Sequence, residues 1–140
     1  MPRVLVVDDQ KDVRAMISMV LRVNQFDVVE AGTAEAGLQL FREHVFDAVI
    51  VDIYLDDSNG LDLVSGMRAL VPDLPVVAVS GMSAFDGASM SEELTRVVYL
   101  RKPFRPAELM RAVEAARAAA SEQGLQPARD SRSALCPNGT

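Results

Sequence analysis

Short runs of consecutive apolar residues recur along this chain, and each ends on polar or charged residues. Val4-Leu5-Val6-Val7 ends in Asp8-Asp9, Ala48-Val49-Ile50-Val51 in Asp52, Val76-Val77-Ala78-Val79 in Ser80-Gly81, and Val97-Val98-Tyr99-Leu100 in Arg101-Lys102-Pro103. The runs are rich in β-branched residues and apolar at every position rather than at alternate ones. A strand covered on both faces of a parallel sheet has this pattern. They predict strands over Arg3–Val7, Ala48–Asp52, Val76–Ser80 and Val97–Arg101. A further strand, Asp27–Ala31, has polar ends and suits a sheet edge.

Helical spacing fills the intervals. Val13, Ile17, Val20 and Leu21 share one face, with Asp9 or Gln10 placed to cap the start. Gly32 breaks the chain and Thr33 can cap a second helix, with Ala34, Gly37, Leu38 and Phe41 on one stripe. Gly60 closes an acidic loop, and Leu61, Val64 and Met67 mark a third helix. Between Gly81 and Arg96 only Met90 and Leu94 offer anchors, which predicts a loop and a short fourth helix. Pro106 opens the last helix, where its missing N–H costs nothing, and Leu109, Val113, Ala116 and Ala120 continue it. From Ser121 onward the periodicity fades. The division expected is one domain over 1–122 and a disordered tail over 123–140.

Five strands alternating with five helices require a parallel sheet with helices on both faces. Right-handed crossovers leave few topologies. The fold class is therefore α/β, a flavodoxin-like, doubly wound (βα)5 fold with strand order 2-1-3-4-5.

A chain of 140 residues suits one domain. Near this size roughly 70% of the unfolded chain's surface is buried, so no disulfide is needed. The single Cys136 forms no disulfide framework. The start of the chain carries no basic-then-apolar leader, and no run of about 18 apolar residues occurs, so a soluble, cytoplasmic, unprocessed protein is expected. The net charge is −6. An acidic chain without a basic run lacks the footprint of a nucleic-acid binder.

In a parallel sheet the ligand site lies outside the carboxyl ends of the strands. Asp8, Asp9 and Asp52 converge there, with Ser80 and Lys102 on the adjacent strand ends. Clustered carboxylates suit Mg²⁺, a hard cation that shares phosphate oxygens with its ligands. Lysine supplies a point charge for a phosphate, and serine a donor. An aspartate can accept a phosphoryl group as an aspartyl phosphate. Asp52 is the candidate, standing alone at its strand end, while the Asp8-Asp9 pair suits a metal.

Val6-Val7-Asp8-Asp9, Val51-Asp52-Ile53, Val79-Ser80-Gly81 and Tyr99-Leu100-Arg101-Lys102-Pro103-Phe104 together resemble the receiver domain of two-component response regulators, in order and over about residues 3–120. The resemblance implies Asp52 as phosphoacceptor. It implies Mg²⁺ (or Mn²⁺) held by Asp9, by Asp8 largely through water, by Asp52 and by the Tyr54 backbone carbonyl. Lys102 matches the phosphate-binding lysine, and Pro103 a proline that follows a cis peptide bond. Ser80 matches the hydroxyl that follows the phosphoryl group, and Tyr99 the aromatic switch. The output face would join the fourth predicted helix, the fifth strand and the last helix.

The chain departs from the family in the loop Asp56-Asp57-Ser58-Asn59-Gly60, where the family often has Pro then Gly after the phosphoacceptor strand. Tyr54 and Met82 match positions flanking the attacking water's path. Both are bulky, which implies slow self-dephosphorylation.

The implied partners are a sensor histidine kinase or a histidine phosphotransfer protein, and a downstream protein at the output face. Neither nucleic acid nor a membrane is implied, and the chain would be a monomer or a phosphorylation-dependent dimer. The chain would be a single-domain signalling module rather than an enzyme. Two alternatives stand beside this reading. One is a Mg²⁺-dependent phosphatase of small molecules, although Asp52-Ile53-Tyr54 lacks the Asp-x-Asp pattern of such enzymes. The other is a receiver-like scaffold that is never phosphorylated. Simpler roles are a solvated turn for Asp8-Asp9, a core residue for Tyr99, solvated loop positions for Asp56 and Asp57, and a surface position for His44.

Overall fold

The computed structural model describes residues 1–55, 58–81 and 96–124, the last four as backbone only. The strands are β1 (Arg3–Val7), β2 (Asp27–Ala31), β3 (Ala48–Asp52), β4 (Val76–Ser80) and β5 (Val98–Arg101). They form one parallel sheet in the order β2-β1-β3-β4-β5. The described helices are α1 (Lys11–Val23), α2 (Ala34–Glu43), α3 (Gly60–Leu70) and α4 (Pro106–Gly124). The predicted helix within 81–96 falls almost wholly outside the described residues, as do Asp56, Asp57 and Met82.

The gapless apolar runs are explained by two cores. On one face Val4, Val6, Ile50, Val77 and Val79 pack with Ile17, Leu21, Leu109 and Val113 of α1 and α4. On the other Leu5, Val7, Val49, Val51 and Val76 pack with Phe41, Leu63, Val64 and Met67 of α2 and α3. Strand β2 lies at the edge, with Asp27 and Glu30 exposed, as its polar ends predict. His44 is exposed at the end of α2.

Among the described residues, two helix starts are capped by the side chain of the residue that precedes the helix. Thr33 Oγ1 accepts from the Ala36 N–H at 3.1 Å and Asn59 Oδ1 from the Leu61 N–H at 2.7 Å. At the start of α4 the Arg105 N–H donates to Glu108 Oε1 at 2.7 Å. Three boundaries differ from expectation. Gln10 occupies the cap position of α1, but its side chain does not cap the helix. β5 begins at Val98 rather than Val97, two residues after Arg96, whose φ of 67° turns the chain towards the strand. α4 runs to Gly124, past the expected division at 122, because alanines followed by Glu122 and Gln123 sustain a helix that has lost its apolar stripe. No described helix is long and apolar enough to cross a membrane.

Candidate functional site

Parallel register aligns the strand ends. Asp52 pairs with Val79, and Ser80 with Arg101. The Asp8 N–H donates to the Ala31 carbonyl at 3.1 Å, the Ile53 N–H to Val79 at 2.9 Å and the Lys102 N–H to Ser80 at 2.8 Å, so the ladder continues just past each strand. The residues predicted at those ends are thereby carried to one edge.

Asp8, Asp9 and Asp52 each offer a carboxylate oxygen within 4.8 Å of the other two. Asp8 and Asp52 are buried and Asp9 is half-buried. The Lys102 ammonium bridges the cluster, with Nζ donating to Asp52 Oδ2 at 3.0 Å and to Asp8 Oδ2 at 3.4 Å. Asp52 Oδ1 accepts from the Tyr54 N–H at 3.0 Å. Burial pushes the Asp8 carboxyl above its usual range. The Asp52 charge adds to that, while the Gln10 N–H and Lys102 oppose it.

Three carboxylates facing one ammonium leave negative charge in excess. Oxygens around Mg²⁺ stand about 3–4 Å apart. Small side-chain rotations would close this set onto such an ion, so the donors fit a hard divalent cation. Beside the cluster a cavity of about 260 Å³ is lined by Gln10, Asp52, Tyr54, Gly81 and Lys102. Tyr54 is exposed at its rim.

Ser80 is buried at the end of β4, next to the Lys102 backbone. Lys102 precedes Pro103 through a cis peptide bond. Tyr99 is half-buried on β5, and burial raises its phenol above the usual value while the Arg68 guanidinium pulls it down.

Three contributors escaped the sequence reading. Gln10 Oε1 accepts from Lys102 Nζ at 3.2 Å. Arg14 Nη1 donates to the Asp8 carbonyl at 2.7 Å and its Nε to Glu30 Oε1 at 3.1 Å, tying the turn after β1 to the sheet edge. Gly60 packs against the Asp52 backbone. The signal for Gln10 was its place beside the Asp pair, which a capping role had absorbed.

Residues 4–114 match the response regulator receiver domain. The transcriptional regulatory protein PrrA of Mycobacterium tuberculosis is 38% identical over 114 residues, which cover 81% of this chain and 49% of that protein. The chain thus spans about half the length of that relative. Among solved structures, a response regulator receiver domain protein from Clostridium thermocellum superposes with a TM-score of 0.76 at 25% identity, covering 89% of this chain and 98% of that one. The response regulator TrrA of Thermotoga maritima, in complex with Mg²⁺ and BeF, gives 0.74 at 25% identity, covering 83% and 99%. The match along most of the sequence and the likeness along nearly the whole of both solved chains agree, and the chain belongs to the response regulator receiver domains of two-component systems.

Proposed function

We propose that Asp52 is the phosphoacceptor of this receiver domain, in a Mg²⁺-dependent transfer from a histidine kinase or histidine phosphotransfer protein. The observation that carries this reading is the Lys102 ammonium held by Asp52 and Asp8 at the rim of the cavity. An Asp52 carboxylate oxygen attacks the phosphorus of a phosphohistidine. An O–P bond forms, the N–P bond breaks, and the ring, protonated on its other nitrogen, takes the bonding pair and leaves as neutral imidazole. A metal held by Asp8, Asp9, Asp52 and the Tyr54 carbonyl would supply charge neutralisation for the transferred group. Lys102 binds a phosphoryl oxygen, and burial of Asp8 and Asp52 limits competing water.

Ser80 and Tyr99 then report the modified state. Ser80 follows the phosphoryl group, and Tyr99, half-buried on β5, changes the face to which a downstream protein binds. Phosphorylation acts by shifting an existing equilibrium, with a coupling of about 1–3 kcal/mol. The domain runs through the end of α4 at Gly124, two residues past the expected division, and its output is a protein contact rather than nucleic-acid binding.

Incubation with phosphoramidate and Mg²⁺, read by intact mass, tests the reading. One added phosphoryl group is expected, absent from Asp52→Asn and without EDTA-resistant labelling. An Asp52→Asn protein that gains the group as readily as the wild type would overturn the assignment.

A further inference from the structure

Gln10 sits at the cap position of α1, yet its side chain makes no capping bond. Its backbone N–H donates to Asp8 Oδ1 at 2.8 Å, and its side chain crosses the sheet edge to Lys102. A lysine ammonium has three donors. Lys102 Nζ meets three side-chain acceptors: Asp52 Oδ2 at 3.0 Å, Gln10 Oε1 at 3.2 Å and Asp8 Oδ2 at 3.4 Å. Two are carboxylates of the acidic cluster, and the third is a neutral amide. Gln10 and Lys102 also line the same cavity beside Asp52.

We infer that Gln10 is a positioning residue that holds the Lys102 ammonium at the mouth of the Asp52 cavity, ready for the oxygens of an incoming phosphoryl group. The inference rests on Asp52 being the phosphoacceptor. Lysine is a point charge on a flexible four-carbon stem, so its location is set by its acceptors. Carboxylates alone would draw Nζ down onto the oxygens of Asp52, the group that must attack. The amide shares the ammonium and draws it towards the rim. Being uncharged, the amide releases a lysine donor to a phosphoryl oxygen at low cost. A glutamate in its place would hold the lysine more tightly and repel the incoming anion.

Gln10 is exposed, so Gln10→Met keeps the side chain's length and removes its acceptor without disturbing a core. Phosphorylation by phosphoramidate should slow roughly fivefold, the effect of losing one modest hydrogen bond. In a Lys102→Ala background the same substitution should change nothing, because Gln10 then has no ammonium to place. In metal-free protein the ¹⁵N signal of the Lys102 ammonium should broaden in Gln10→Met as proton exchange quickens. Equal rates for wild type and Gln10→Met overturn the inference alone. So does a slowing that persists undiminished without Lys102. A wild type that takes no phosphoryl group on Asp52 overturns the reading of the site and this inference together.

Discussion

Gly60 is the position where the fold and the proposed chemistry are most tightly coupled. It opens α3, and its N–H donates to the Ile53 carbonyl at 2.7 Å. A Cβ added there would lie 2.1 Å from the Asp52 carbonyl oxygen, 2.9 Å from the Asp52 carbonyl carbon and 2.8 Å from Val51 Cγ1. Ordinary contact begins near 3.4 Å, so the start of α3 would have to retreat by about 1.3 Å from a backbone that the central strand holds in place. Overpacking of this kind costs about 1–3 kcal/mol. The retreat also stretches the Gly60–Ile53 hydrogen bond, worth about 1 kcal/mol net. Gly60→Ala should therefore lose about 3 kcal/mol, a large share of the roughly 5–15 kcal/mol that a domain commands. Gly66, on the same helix, supplies the control, because a Cβ there meets nothing within 4 Å. Gly66→Ala should gain about 0.5–1 kcal/mol by relieving a helical glycine. Urea unfolding of the three proteins measures both effects. A Gly60→Ala midpoint level with that of the wild type would refute the close packing of α3 on Asp52. If the packing is right, Gly60→Ala should also slow phosphorylation of Asp52 in molecules that remain folded.

The phenol of Tyr99 should titrate above its usual value near 10 in the folded chain, because burial opposes its charge. Tyr54→Phe leaves Tyr99 as the one tyrosine, so absorbance of its phenolate follows it directly. With the folded pKa above the unfolded one, the folded state binds more protons, and stability should fall as pH rises through that interval. Thr33→Ala removes the cap on α2 and should cost about 1 kcal/mol in urea unfolding. Mg²⁺ should raise the melting temperature of the wild type by binding the acidic cluster, and Asp9→Asn should blunt that rise. If the bulk of Tyr54 restricts the attacking water, Tyr54→Ala should shorten the lifetime of phospho-Asp52 severalfold, measured by loss of the added mass.

What was legible in the sequence was what repeats. Val4–Val7, Ala48–Val51 and Val76–Val79 face helices on both sides, so their apolar positions have no gaps, and that absence of alternation points to a parallel sheet. A parallel sheet then places the residues after each run at one edge, which is why Asp8, Asp52 and Lys102 could be grouped before any distance was known. What escaped depends on a single long-range neighbour. Gly60 looked like the end of a loop because the atom that excludes a side chain there is the Asp52 carbonyl oxygen, on another element. Nothing in the local pattern marks Arg68. It is buried, with Nε and Nη2 donating to the Leu74 carbonyl at 3.2 and 3.0 Å. Gln10 fits a helix-cap position locally, while its actual partner lies 92 residues away. Local rules name the residue types that suit a position, and several partners can satisfy the same type. The cap position of α1 accepts a polar side chain whether it serves the helix or the lysine. The three acceptors around Lys102 decide between those uses, because an amide turned to the helix would leave the ammonium to the carboxylates alone.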